Sequence, residues 1–522
     1  MYGYFDRKRS PKSCQCRPAR SLMRLAFFSM VVFLLAWFVS PLAFAENPTY
    51  VGGEDIINGI WTLDQSPYYV SGTVRVVGEL RIEAGVQVYF LDNYSIEVEH
   101  NAVLIANGGN EENDRILFTS SSITWEGINF HDASELCLII NCDIFNVETA
   151  VNCNRTDLSL ESSRIEAHSV AVNCISSSPR IVGNHSIRVI GEGNAGTNFK
   201  AISIRDDSSP QIIGNKWIEC WSDFGNTATG IFILDSRAEI RENWIEVRSY
   251  DSPKGIDADL GDDVDISRNI IRVQSSPTAC VLDFSSSTGV TVYNNDLIVM
   301  NGSPAMGVIG IKISAGSFMR IVNNIITGNS ASVAIQAEPN FVSDSSGYNL
   351  CYNHDLIYNG IGALEGDIIE ENPLFITEEP DSSNAYYIHW ESPCRDNGYP
   401  DEAWNDPHDN SPSDIGRFWC LEHPNPVKET ESTAPVCYEI LVSYPNPFNN
   451  YNVISFELPS TESTRLLLFD ANGRYIRTLL SGNYSRGSHV FRWNSDGMSA
   501  GDYIIQLEAG NVVQSRKVTH LP

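Results

Sequence analysis

The chain has 522 residues, 42% of them apolar, which is enough to bury a core and implies two or three domains rather than one. Lys and Arg number 35 against 65 Asp and Glu, a formal net charge of −30. Such a surface repels nucleic acid and anionic lipid, and it weighs against a highly anionic polysaccharide as ligand unless a divalent cation bridges the two.

The N-terminus indicates the compartment. An apolar run from Leu25 to Val39 follows a cluster of Arg and Lys and ends in Pro41 and the small-residue pattern Ala43-Phe44-Ala45. Residues 1–45 therefore read as a secretory signal peptide, cleaved after Ala45. Met23-Arg24 would make an ordinary start for it. The run is shorter than the ~18–20 residues of a membrane span, so no span is expected after cleavage. Without residues 1–45 the chain carries 28 positive and 64 negative side chains, a net charge of −36. Ten cysteines remain. Export permits disulfides, but no C-x-x-C or His cluster has zinc-ligand spacing.

An internal repeat decides the fold. The segments PRIVGNHSI, PQIIGNKWI, AEIRENWI, VDISRNII, VTVYNNDLI and MRIVNNII align on Asn184, Asn215, Asn243, Asn269, Asn295 and Asn324. Cys142 and Ser163 take the same place in two earlier copies, at intervals of 21, 21, 31, 28, 26, 26 and 29 residues. A second strand repeats with them: AISI (201–204), GIFI (230–233), GIDA (255–258), ACVL (279–282), GIKI (310–313) and AIQA (334–337). Strands this short cannot each bury a core. Coiling the chain stacks them ~4.8 Å apart as parallel sheets with continuous inward columns of Ile and Val. The Asn falls at a bend, where it tolerates a left-handed backbone and its amide reaches the Asn of the next coil. A β-propeller or an array of sandwiches needs a longer repeat.

With these segments in hand, residues from about 50 to 420 resemble the right-handed parallel β-helix family, the fold of pectate lyases and polygalacturonases. The opening GIWTLDQSPYYVSGTVRVVGELRIEAGVQVYF (59–90) is similar to the first coil of exported β-helices. The domain order expected is an N-terminal cap at 46–80, β-helix at 81–420 with a C-terminal capping loop, and a Pro- and Glu-rich linker at 421–437. Cys153 and Cys174, each in AVNC, should stack on adjacent coils, as a disulfide or as an inward Cys ladder.

Residues 438–522 alternate as seven or so strands with Asn-Gly and Asp-Gly turns, the pattern of a small immunoglobulin-like β-sandwich. Tyr444-Pro445-Asn446-Pro447-Phe448, Gly473-Arg474 and Trp493 resemble the C-terminal sorting domain of the type IX secretion system. The resemblance implies recognition by outer-membrane secretion machinery and passage through the periplasm to the outer surface or the medium. The final THLP departs from the basic ending often seen there.

Three places hold polar chemistry. Asp396, Asp401, Asn405, Asp406, Asp409 and Asp414 supply the oxygens calcium prefers, in a segment resembling the SPC-x-D-x-G…DIG ending of exported β-helices. The alternative is a structural loop whose side chains bond their own backbone. Asp257, Asp262 and Asp263 are the carboxylates that would serve a glycoside hydrolase. They are crowded into one loop, without the Gly-His-Gly or Arg-Ile-Lys of polygalacturonases, so no catalytic set is assigned. Trp217, Trp221, Trp244 and Tyr250 would stack on sugar rings or cover strand surface. The two functional expectations are a non-catalytic scaffold binding polysaccharide or a partner, and a polysaccharide lyase or hydrolase.

Overall fold

The computed structural model describes residues 48–417 and 439–521, apart from 54, 121–123, 193–195, 224, 275–278, 301–306, 315, 338–341, 344, 379–384, 402–404, 406–410, 445–447, 449–450, 459–461, 472–473, 485–486, 495–497 and 510–511. The signal peptide and linker read from the sequence lie outside the described residues. The chain divides into two compact units, Met1–His423 and Pro424–Pro522.

The first unit is a parallel β-helix. Each coil contributes a strand to each of three parallel series. In one coil, Arg180–Val182 lies on the first sheet, Ser186–Gly191 on the second and Asn198–Arg205 on the third; Gln211–Ile213 then returns to the first. The register holds residue by residue. Ile187 pairs with Ile218, Ile218 with Ile245, Ile245 with Ile271, Ile271 with Leu297, and Leu297 with Ile326. All six are fully buried, and each contributes ~1.5–3 kcal/mol relative to exposure. Pairing begins at Thr49–Val51 and runs to Ile368–Ile369. Much of the segment expected as an N-terminal cap is therefore coil: Asp55–Trp61 and Val74–Ile82 already pair in parallel.

The Asn residues bond one another along the axis. Asn184 N–H and Nδ2 both donate to Asn215 Oδ1 (3.0 and 2.9 Å), and the same double contact links Asn215 to Asn243, Asn243 to Asn269, Asn269 to Asn295 and Asn295 to Asn324. The line continues beyond the repeats that the sequence displays, through Asn349 to Asp367. At its other end Ser163 N–H donates to Asn184 Oδ1, and Cys142 N–H to Ser163 Oγ.

The left-handed residue is not the ladder Asn but the one before it: Gly183, Gly214, Glu242, Arg268, Asn294 and Asn323, with φ between 52° and 63°. Its φ turns the chain, which frees the Asn to face inward. A second polar line, absent from the sequence reading, runs along the bend between third and first sheets. Thr156 N–H donates to Ser177 Oγ, Ser177 N–H to Ser208 Oγ and Ser208 N–H to Ser236 Oγ. Cys153 and Cys174 are in register as buried free thiols, an inward ladder and not a disulfide.

The coil ends at Ile369, and the described residues of 371–417 leave its axis. They run back as a strap over the outer side of the second sheet. Ala385 and Tyr386 pack on Trp244, Ile270 and Ile298; Ile388, Cys394 and Ile415 pack on Ile325 and Leu350. Two left-handed Asn residues hold the strap. Asn294 Nδ2 donates to the carbonyls of Asp414 and Gly416 (both 3.0 Å). Asn323 Nδ2 donates to Ser413 Oγ (3.1 Å), and its Oδ1 accepts from Tyr399 N–H (2.8 Å).

The second unit is a two-sheet antiparallel sandwich. Glu439–Tyr444, Tyr451–Leu458 and Gly487–Asn494 form one sheet. Glu462–Asp470, Tyr475–Tyr484, Gly501–Ala509 and Val512–His520 form the other. Phe456, Leu468, Trp493, Ile505 and Val518 meet in the core between them.

Candidate functional site

The third sheet brings together a charged cluster on its outer side. Register places Phe232 beside Asp257, Asp257 beside Asp283, and Asp283 beside Lys312. Lys254, on the same strand as Asp257, reaches both carboxylates: Nζ lies 2.9 Å from Asp257 Oδ1 and 2.8 Å from Asp283 Oδ2. Lys312 Nζ is 3.1 Å from Asp283 Oδ1. Burial raises the Asp257 pKa against the pull of Lys254. Burial draws Lys254 down, but Asp257 and Asp283 more than offset it, and the ammonium ends above its ordinary value. Lys200 Nζ sits 4.9 Å above the Phe232 ring. Burial and then Arg205 lower the Lys200 pKa.

Asp262 and Asp263 do not join Asp257. Asp262 accepts from Thr288 Oγ1 (2.8 Å) at the bend, and Asp263 adopts φ 56° there. The strand carries Asp257 to the face, and the turn holds the other two at the edge. The residue that does meet Asp257 is Asp283, 26 residues on, which the sequence reading missed.

The aromatic residues split three ways. Trp217 and Trp244 pack against each other (4.9 Å) and against the strap, with Tyr386 5.7 Å from Trp244, and so cover strand surface. Trp221 lies beneath the Arg248 guanidinium at 4.9 Å. Tyr250 is 64% exposed, in a loop.

The acidic loop bonds itself. Asp414 is buried, and its Oδ1 accepts the Asp396 N–H at 2.7 Å. Asp401 N–H donates to the Tyr399 carbonyl. Asp406 and Asp409 lie outside the described residues, as do Pro445, Asn446, Pro447 and Gly473 of the sandwich motif. Among the described residues no three His, Cys, Asp or Glu side chains converge as a cation site. Asp396 and Asp414 bond each other within the loop, backbone to side chain.

One carboxylate was not anticipated. Asp296 occupies the outward row of the second sheet in register with Ile270 and Ile325, beneath the strap. Its Oδ1 accepts Arg417 N–H at 3.2 Å, while Oδ2 has no hydrogen-bond partner among the described residues. Burial pushes its pKa up to about 7.

In the sandwich, Phe448 stacks near Trp493 (5.0 Å) and joins the last strand through Thr519 and Leu521. Asp470 and Arg474 close a turn by reciprocal bonds: Asp470 N–H donates to the Arg474 carbonyl and Arg474 N–H to Asp470 Oδ1, both at 2.9 Å. Residues 442–520 match the family described as secretion system C-terminal sorting domain. This unit is a type IX sorting domain. The sorting domain directs export to the cell surface or extracellular space and implies contact with the secretion machinery. Among the described residues no helix is long and apolar enough to cross a membrane. No curated protein matches the sequence. Among solved structures, the enzymatically active domain of bacteriophage CBA120 tailspike protein 4 aligns over 87% of this chain and 63% of its own length, at 8% identity and a TM-score of 0.18.

Proposed function

We propose that the sorting domain delivers a scaffold that binds a glycan or a partner along the outer side of the third sheet. One observation carries this reading. The strap covers the later strands of the second sheet, whereas the third keeps an outward row rich in amides and carboxylates at the coil spacing. In that row Asn129 donates to Glu97 (2.8 Å), Asn173 donates to Asn152 (2.8 Å), and Phe232 and Asp257 follow in register. Fixed amides and carboxylates beside an aromatic ring suit sugar hydroxyls.

A lyase or glycoside hydrolase is the second reading, favoured by Asp257 and Asp283 meeting in register. Against it, Lys254 is tied to both carboxylates and stays an ammonium, so it is no proton-abstracting base. The test presents mature full-length protein to a panel of neutral and acidic polysaccharides, reading retention in affinity gels and release of reducing or unsaturated ends. Retention without release is expected. Release lost in Asp283→Asn would establish the enzyme instead, and neither retention nor release across the panel would overturn the proposal.

A further inference from the structure

We infer that Lys200 and Arg205 form an anion-recognition site on the third sheet, holding a carboxylate or sulfate group of the bound glycan. The inference deepens the reading of this sheet as a binding face and rests on it. It starts from charge. Acidic side chains outnumber basic ones 65 to 35, so a cation finds a carboxylate easily. Most arginines of the coil do: Arg75 with Glu99, Arg115 with Asp143, Arg164 with Glu112, Arg188 with Glu219, Arg272 with Glu246. Lys200 and Arg205 make no ion pair among the described residues, although both are partly buried.

Lys200 Nζ rests over the Phe232 ring. Arg205 Nη2 donates only to the neutral Asn173 Oδ1 (3.3 Å), and its Nε is buried without a partner. The two cations are close enough for Arg205 to disfavour the charged form of Lys200. Asp257 offsets part of this at Lys200, but it makes no ion pair with it; desolvating two like charges so weakly compensated is costly, and an anionic ligand lowers the cost. The lysine distribution points the same way. Residues 46–420 contain four lysines, and three of them, Lys200, Lys254 and Lys312, lie on the third sheet. Lys254 and Lys312 are paired with Asp257 and Asp283, which leaves Lys200 and Arg205 without an ion-pair partner among the described residues. Register sets Phe232 opposite Ser203, between the two cations along the strand. A sugar ring lying near Phe232 would bring its acidic substituent to either one. The anionic polysaccharide that net charge argues against is thus the one this patch suits.

Calorimetric titration of the mature full-length protein tests it, with hyaluronan oligosaccharides (carboxylate), dextran sulfate (sulfate) and neutral dextran as probes. At least one anionic probe should bind and weaken as salt rises. Lys200→Met and Arg205→Met should each lower that affinity at least tenfold, while Lys216→Met, at an exposed position, leaves it unchanged. The thermal midpoint of Lys200→Met should stay level or rise, since an unpaired cation is removed; a purely structural lysine would lower it. Dextran binding as tightly as either anionic probe, with Lys200→Met unaffected, overturns the anion site and leaves the binding face standing. No binding by any of the three probes overturns the anion site, and the binding face then rests on the wider polysaccharide panel.

Discussion

Replacing Asn243 by Ala removes one rung of the ladder. Its Nδ2 donates to Asn269 Oδ1 (3.0 Å) and to the Ile212 carbonyl (2.8 Å), and its Oδ1 accepts from Asn215 N–H (3.0 Å) and Asn215 Nδ2 (2.8 Å). The residue has no solvent exposure. Four bonds at about 1 kcal/mol each give ~4 kcal/mol, and the orphaned Asn215 amide and Ile212 carbonyl move the loss toward ~6 kcal/mol. An exposed Asn→Ala change stays within about 0.5 kcal/mol. Urea unfolding of the full chain, followed by tryptophan fluorescence, measures the difference. Hydrogen exchange locates it: the Asn215 amide should lose protection first. A loss under 1 kcal/mol, with Asn215 still protected, would refute the view that these bonds are unsupported by water and hold adjacent coils together.

Four further outcomes follow. Tyr386→Ala removes the ring packed on Trp244 and Phe375, at about 3–5 kcal/mol by analogy with other buried aromatics; limited proteolysis should then cut within 371–417 while the amides of the second sheet stay protected. Asp296 is raised from an unfolded value of ~3.9 to about 7, so the folded state holds its proton more tightly. Its contribution is fully present below about pH 4 and is lost as pH rises through about 7, by up to ~4 kcal/mol. Buried His354, lowered to about 4, works in the opposite sense over the same window, so the stability–pH curve of Asp296→Asn minus that of wild type isolates the carboxylate and should rise from pH 4 to 7. EDTA and millimolar calcium should leave the thermal midpoint alone if the 396–414 loop satisfies itself; a rise with calcium would restore the metal reading. Deleting residues 438–522 should leave the β-helix in the periplasm of its host, and cell fractionation that finds it equally at the surface would contradict the role of the sorting domain.

The coil was legible because one residue type recurs at one place in successive turns from Asn184 to Asn324, with a hydrogen-bonding reason to do so. The site was less legible, for a traceable cause. The repeat ACVL at 279–282 stands two residues out of register: Leu282, not Cys280, pairs with Ile311. A two-residue slip keeps every side chain on its face, so alternation cannot expose it. Aligned as VLDF (281–284), the segment places Asp283 beside Asp257. The strap left a trace as well. In the later repeats the residue directly after the ladder Asn is apolar, as at Trp244, Ile270, Ile325 and Leu350. The next residue already faces the core, so this row points outward and requires a cover. Asp296 breaks that row, and sequence alone gives no reason for it.

The ladder has a direction. Each Asn hands its protons to the coil that follows, so the amides align head to tail, and any coil added downstream must present a lone pair at the bend. At Asp367 the polarity ends in a group with two acceptors and no amide protons: one oxygen takes both Asn349 contacts, the other takes the Tyr358 hydroxyl. Asparagine there would aim its protons past the last coil. Asp367 acts as a chain terminator in the polymer sense, accepting the growing line without extending it. The length of this solenoid is therefore written chemically at one position. A duplicated coil can be spliced in between Asn184 and Asp367, where donor meets acceptor on both sides, whereas one placed after Asp367 meets a side chain that accepts but cannot donate.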